Sequence, residues 1–329
     1  MKKVYIKDRV RRRGQMQFYM HQFVEAFLQY GVCKKHEVNV TEKFKIAGLC
    51  RHLTFWLYSL FFSSSKKNKA IIITSRGEDL KLNAYPYYLN YEVIPMLWDV
   101  WPYCWERLFQ DIKQLDVKTV FVTVRSMAKI LNEKLGVNAI WVPEGIDISA
   151  YKKGVELCKR QSDVYELGRQ HKKFHSVLKK MEKNKLLSGY YHNNYDQQGK
   201  LTKLAFDNNA DMIELLSNVK VVVNFPKNDT EPKAAGSIET LTQRYWEAML
   251  SGCLIVGRAP KELLDLLGYD PVVNIDWSDP IGQMKSILSN ISNYQYLVDK
   301  NYKFALENAP WEARIPDLRN QLNKLNYTF

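Results

Sequence analysis

IETLTQRYWEAMLSGCLIVGRAPKELL, Ile238 to Leu264, decides how the rest of this chain is read. Its first half carries helix signals at both ends. Thr240 with Gln243 three residues on forms a capping box, in which hydroxyl and amide answer backbone N–H groups that the first turn leaves over. Leu241, Tyr245, Ala248 and Met249 make one apolar stripe, and Gly252 suits the left-handed residue that closes a helix. CLIVG then reads as a short buried strand, and APKELLDLLG as a second helix with Pro260 in its tolerant first turn. Glu239 stands just ahead of the first helix and Glu247 within it, roughly 12 Å apart at the helical rise. Two solvated acids on a surface helix would give the same pattern. The wider chain has to choose.

Outward from this stretch, apolar β-branched runs alternate with helical periods. Strands are predicted at Val4, Ala70, Glu92, Lys118 and Asn138, and again at Asp163, Lys220, Cys253 and Pro271. Helical stretches fall near 15–30, 104–115, 126–135, 172–186 and 210–217. Several strands are continuous apolar runs, as expected for parallel strands covered on both faces. The alternation predicts an α/β fold of two Rossmann-like doubly wound domains facing a cleft. VPEGIDISAYKKG, Val142 to Gly154, is the natural boundary. Residues 1–150 then form one domain and 151–293 a second, while helices at 294–329 pack back toward the first.

The chain has 329 residues, with 48 Lys and Arg against 35 Asp and Glu, a formal charge of +13. Such an excess favours phosphorylated ligands, polyanions or acidic membrane surfaces. Five scattered cysteines without a Cys-x-x-Cys pair argue for a reducing compartment and against structural zinc. His171 and His175 have ligand spacing on a helix, but no third ligand lies near. The N-terminal MKKVYIKDRVRRRGQ lacks the apolar centre of a signal peptide. LCRHLTFWLYSLFF, Leu49 to Phe62, is too short to span a bilayer, and is either a buried helix or an interfacial one. A cytoplasmic protein is expected, peripheral to the membrane if that segment lies in the interface.

Ligands of open α/β sheets bind beyond the carboxyl ends of the strands. Three stretches should meet there in the second domain. Gly168 permits a tight turn after DVYEL, and Arg169 with Lys172 or Lys173 can reach a diphosphate. Asn224 opens NFPK and can frame a nucleotide base. Backbone N–H groups around Leu241 and Thr242, at the start of the helix, make an anion site. Together they suit a nucleoside diphosphate, with Glu247 accepting from ribose hydroxyls and Glu239 from hydroxyls at the ligand's far end.

These residues resemble a known family. The paired glutamates followed by AMLSGCLIVG and APKEL, and VTVRSMAKILNEKLGVNAIWVPEGID before them, look like GT-B-fold glycosyltransferases. The nearest group is the retaining, family 4-like enzymes of bacterial capsule and O-antigen polysaccharide synthesis. The resemblance runs from Val120 to Val273. It implies that Glu247 binds the ribose of a nucleotide sugar, Glu239 contacts the donor sugar, and Arg169 with Lys173 binds the diphosphate. It implies no metal and no cofactor beyond the donor substrate, with a UDP-sugar the commonest choice. Many members carry Gly-Phe-Gly after the first glutamate. This chain has TLTQRY, so Thr240 and Thr242 hydroxyls replace some backbone contacts.

The first domain should hold a glycan or lipid-linked acceptor. Gly14, in DRVRRRGQMQ, sits where such enzymes place a glycine loop near the donor phosphates, although a basic surface loop reads the same way. Asp99, closing a strand in an aromatic run, can approach the acceptor hydroxyl, and His21 either faces the ligand or pairs with Glu25. Alternatives are a nucleotide-sugar epimerase or hydrolase of the same fold, and a polyanion-binding protein without catalysis. No nucleic-acid motif supports the last. A dehydrogenase is disfavoured because no Gly-x-Gly-x-x-Gly follows the first strand.

Overall fold

The computed structural model describes residues 1–7, 15–30, 34–35, 53, 57, 67–196 and 201–328. The chain packs as two compact units, Met1–Pro143 with Trp311–Phe329, and Glu144–Pro310.

In the first unit, strands β1 (Lys2–Lys7), β2 (Lys34–Lys35), β3 (Lys69–Arg76), β4 (Glu92–Trp98), β5 (Thr119–Val122) and β6 (Asn138–Trp141) form a parallel sheet. AIIITS and EVIPMLW are buried along their whole length, as continuous apolar runs covered on both faces must be. Helices α1 (Gln15–Gln29), α2 (Trp105–Gln114) and α3 (Arg125–Leu135) accompany the strands. On α1, Phe23 and Phe27 are fully buried, and Phe23 meets Trp98 and Trp311 edge-on at 5.6 and 5.2 Å. Each such ring contributes about 1.5–3 kcal/mol by leaving water. His21 Nε2 lies 3.9 Å from Glu25 on an exposed face of α1.

The second unit has a parallel sheet in the order β13-β12-β11-β7-β8, made of β7 (Ser162–Glu166), β8 (Tyr190–His192), β11 (Val219–Asn224), β12 (Leu254–Gly257) and β13 (Val272–Asn274). A separate two-stranded ribbon pairs β9 (Asn194–Tyr195) with β10 (Leu201–Lys203). Strand alternation splits its core in two. Tyr165, Val222 and Ile255 pack with Tyr245, Trp246 and Met249 of α5 (Gln243–Leu250), while Val164, Val221, Val223 and Val256 pack with Phe174 and Leu178 of α4 (Lys172–Lys183). α6 (Lys261–Leu267) follows β12. α7 (Gln295–Asn308) remains with this unit through buried Val298 and Ala305.

The return to the first unit starts at Trp311, later than the expected 294. It consists of α8 (Ile315–Lys324) and one further strand, where helix alone was expected. That strand, β14 (Tyr327–Thr328), pairs with β1, and the Tyr327 hydroxyl and the Lys2 ammonium both bond the buried Glu92 carboxylate. Gly14, DRVRRRGQMQ up to that glycine, and nearly all of the Leu49–Phe62 segment lie outside the described residues. No helix among the described residues is long and apolar enough to cross a membrane.

Candidate functional site

The carboxyl ends of β7, β11 and β12 bring together most of the residues singled out in the sequence. After β7, Gly168 takes φ +82°, and a Cβ there would sit 3.0 Å from Cδ of Arg244. Glycine is favoured on both counts. Arg244 lies in the first turn of α5, because the helix begins at Gln243, and its guanidinium donates to the Leu167 carbonyl at 2.9 Å and the Phe225 carbonyl at 3.4 Å. One side chain therefore ties the β7 turn to the β11 turn. Burial, and next the charge of Arg169, hold Arg244 down to about 10. Arg169 has a buried Nε without a hydrogen-bond partner, 3.9 Å from the half-exposed Glu231. Two guanidiniums thus share one corner, with the Glu231 carboxylate beside Arg169 and the Glu247 charge acting on Arg244, and the Arg169 Nε still lacks a hydrogen-bond acceptor.

Arg244 is a cation of this corner that the sequence did not single out, and Lys173 stands over an aromatic ring. Lys173 is exposed and its ammonium lies 4.6 Å from the centre of the Trp277 ring. That ring belongs to an aromatic cluster in which His171 stacks on Phe225 at 4.6 Å and meets Trp277 at 5.1 Å. Burial holds the His171 imidazole below its ordinary value.

Glu247 is buried on α5, and its Oε1 accepts from the Tyr151 hydroxyl at 2.9 Å. It faces Tyr165, whose phenol burial pushes up, with the Glu247 charge adding to the effect. Glu239 lies at the other side of the strand ends and accepts from Arg258 Nη1 at 2.8 Å. Arg258 directly follows β12. It also grips Asp229 with two bonds, Nε at 2.6 Å and Nη2 at 2.8 Å, and reaches Asn228 at 3.2 Å. The Asp229 bond, and then that to Glu239, raise the guanidinium above its ordinary value. The buried Tyr245 hydroxyl donates to the Arg258 carbonyl at 2.6 Å and so ties α5 to the turn after β12.

Three expected ligand contacts are taken up by the protein itself. The capping box does not form: the Thr240 hydroxyl and the Leu241 N–H both donate to buried Glu262 of α6, at 3.1 and 2.9 Å. The cap is Thr242, whose Oγ1 is buried without a partner, and the Gln243 N–H donates to Glu144 at 3.1 Å. The helix start is thus already neutralised by two carboxylates from elsewhere in the chain. Asn224 is fully buried; its amide donates to the Arg244 carbonyl at 3.1 Å, and its Oδ1 has no hydrogen-bond partner.

Asp99 lies in the first unit, at φ +52° just after β4. It accepts from Trp101 Nε1 at 3.1 Å and sits 3.3 Å from Arg76 Nε, while Arg76 also stands 3.6 Å from Glu78. Among the described residues, no group of three or more His, Cys, Asp or Glu is arranged to hold a metal ion.

Arg244, Arg258, Asp229 and Tyr151 were missed by sequence reasoning. Two of them carried a signal. Arg258 directly follows the strand CLIVG, where ligands of such sheets bind, and Arg244 is three positions before Glu247 on one helix face. Another group also went unseen. The buried Glu166, last in β7, bonds His175 Nδ1 at 2.5 Å and the Tyr190 hydroxyl, and so braces the turn that follows.

No protein-family model and no curated protein sequence matches the chain. Solved structures do match. Sucrose-phosphate synthase from Thermosynechococcus elongatus is 11% identical over 99% of both chains, with a TM-score of 0.64. HepE from Anabaena, in complex with UDP and glucose, is 10% identical over 98% of this chain and 100% of that one, with a TM-score of 0.59. AviGT4, a glycosyltransferase involved in avilamycin A biosynthesis, is 11% identical over 99% of this chain and 98% of its own, with a TM-score of 0.52. At such identities the likeness is one of fold. This chain has the two Rossmann-like α/β domains of the GT-B fold.

Proposed function

We propose that the second unit binds a nucleoside diphosphate sugar and that the protein transfers the glycosyl group to a hydroxyl of a glycan or lipid-linked glycan. The observation that carries this is the Arg169–Arg244 pair around Gly168, on the same strand ends as Glu247 and Glu239. A diphosphate supplies the acceptor that the buried Arg169 Nε lacks. Ribose hydroxyls join Tyr151 on the Glu247 carboxylate, and hydroxyls of the donor sugar meet Glu239. Binding of UDP and glucose by a protein of the same fold supports the assignment, and makes uridine the first base to try.

In the reaction, the bond from the anomeric carbon to the diphosphate breaks while an acceptor oxygen bonds that carbon and passes its proton to the leaving diphosphate oxygen. Charge builds on the leaving phosphate, where Arg169 stabilises it. With a cation already in that position, the transfer proceeds without a divalent metal, and chelator leaves the rate unchanged. The resemblance to family 4-like enzymes of capsule and O-antigen synthesis supports retention, which NMR of the product's anomeric proton tests. The first unit is assigned the acceptor, with Asp99 near its hydroxyl. The charge of +13 supports work at an anionic membrane surface on the cytoplasmic side, which co-sedimentation with anionic vesicles at low and high salt tests.

The deciding experiment is a thermal-shift panel of UDP, GDP, dTDP and their sugars on wild type and Glu247→Ala. A ligand at 100 times its Kd stabilises by about 2.7 kcal/mol, a shift of a few degrees. One nucleotide family should shift the wild type, and the variant should lose most of that shift. No shift with any nucleotide at millimolar concentration rejects the proposal in favour of polyanion binding.

A further inference from the structure

We infer that Arg258, Asp229 and Asn228 act with Glu239 as a selector that restricts the transferred group to an uncharged sugar. The inference rests on the proposed donor pose, with the glycosyl end at Glu239.

The Arg258 backbone is fixed from both sides. Gly257 before it has φ +140°, and a Cβ there would lie 2.0 Å from the Asn224 carbonyl oxygen, so only glycine fits. The Arg258 N–H donates to that same oxygen at 3.1 Å, and its carbonyl accepts from the buried Tyr245 hydroxyl at 2.6 Å. The side chain leaves this anchor at the carboxyl end of β12 and is about one-third exposed, at 36%. A guanidinium has five N–H donors. Nε serves Asp229, both Nη2 hydrogens serve Asp229 and Asn228, and one Nη1 hydrogen serves Glu239. One donor is left over. The clamp with Asp229 is bidentate and planar, a geometry lysine could not reproduce.

One cation therefore faces two carboxylates, Asp229 and Glu239, and the group is net negative. What it offers a ligand is mostly acceptor oxygen. A neutral sugar presents O–H donors to those oxygens. A uronate brings a third negative charge to the place where Arg258 is already engaged: it finds only the one Nη1 hydrogen left over, and would have to break the Asp229 clamp to gain a bidentate partner.

The test is isothermal titration of matched sugar nucleotides of the base that the panel selects. UDP-glucose is paired with UDP-glucuronate, or GDP-mannose with GDP-mannuronate, or the dTDP pair if thymidine is taken. Wild type should bind the neutral member at least about 10-fold more tightly than the acid. In Asp229→Asn the released guanidinium should accept the uronate, and the gap should close to within about 3-fold. Equal affinity for the two members in wild type, or an unchanged gap in Asp229→Asn, overturns the inference while leaving the nucleotide assignment standing. Failure of every parent nucleoside diphosphate to bind wild type rejects the underlying assignment, and the selector with it. Should Asp229→Asn lack a cooperative unfolding transition, Glu239→Gln decides, since it lowers the negative charge without touching the clamp. A narrowed gap supports the selector, and an unchanged one overturns it.

Discussion

The two Rossmann-like units end their strands in different chemistry. In the first, Arg76 at the end of β3 faces both Asp99 and Glu78, so its charge is more than answered. In the second, Arg169 and Arg244 share the end of β7 while Glu231 stands 3.9 Å from only one of them. The topology around these residues is alike: parallel strands, apolar faces, a turn beyond the carboxyl end. What differs is the counter-ions that the protein supplies. Both arginines keep a buried Nε without a hydrogen-bond partner, so the contrast lies in the carboxylates beside them, two for the single Arg76 and a more distant one for Arg169. Fold alone therefore does not say which unit holds a phosphate, and the proposal rests on the charges at the strand ends.

The largest effect that would break this comparison is at Arg169. Arg169→Ala should lower turnover about 100-fold, roughly 2.7 kcal/mol of transition-state stabilisation, measured as nucleotide release from the donor. Next comes Glu247→Gln, for which donor affinity should fall about 10-fold, near 1.4 kcal/mol, as a titration reads it. Gly168→Ala should cost about 1 kcal/mol of stability in denaturant, because its left-handed φ and the nearby Arg244 both resist a side chain. In the first unit, Arg76→Ala should change stability by less than about 1 kcal/mol, since its ion pairs are partly exposed, and should leave nucleotide affinity alone. The smallest effect concerns pH. Burial lowers the His171 pKa in the folded state, so the neutral imidazole favours folding at pH above the ordinary value near 6.5. As pH falls below that, the unfolded chain takes up its proton first and stability drops. His171 also caps α4, its Nδ1 accepting from the Phe174 N–H at 3.4 Å, so in His171→Asn, which keeps a capping side chain, melting curves should lack this part of the acid loss.

Much of this architecture was legible because burial writes itself into composition. AIIITS, EVIPML and CLIVG could only be strands covered on both faces, and they are. β8 was not legible, since SGYYHNNY is polar and lies at the sheet edge, and neither was β14, two residues long and held by its partner β1. The site divides along the same line. Gly168, Arg169, Glu239 and Glu247 stand at strand or helix ends that pattern alone locates. The fate of Thr240 and Leu241 was hidden, because Glu262 captures both from 21 or 22 positions along the chain, and a local capping rule cannot see it. Arg244 and Arg258 were hidden for a similar reason. Their role comes from which carbonyls and carboxylates the folded sheet sets opposite them, and that information is tertiary.

The most direct test of the central claim is the Kd of UDP, by titration calorimetry, for wild type, Arg169→Ala and Arg76→Ala side by side, with GDP and dTDP run in parallel. The account predicts equal affinity for wild type and Arg76→Ala, and at least a 10-fold loss in Arg169→Ala for whichever nucleotide binds. Undiminished binding in Arg169→Ala, or a comparable loss in Arg76→Ala, would contradict it.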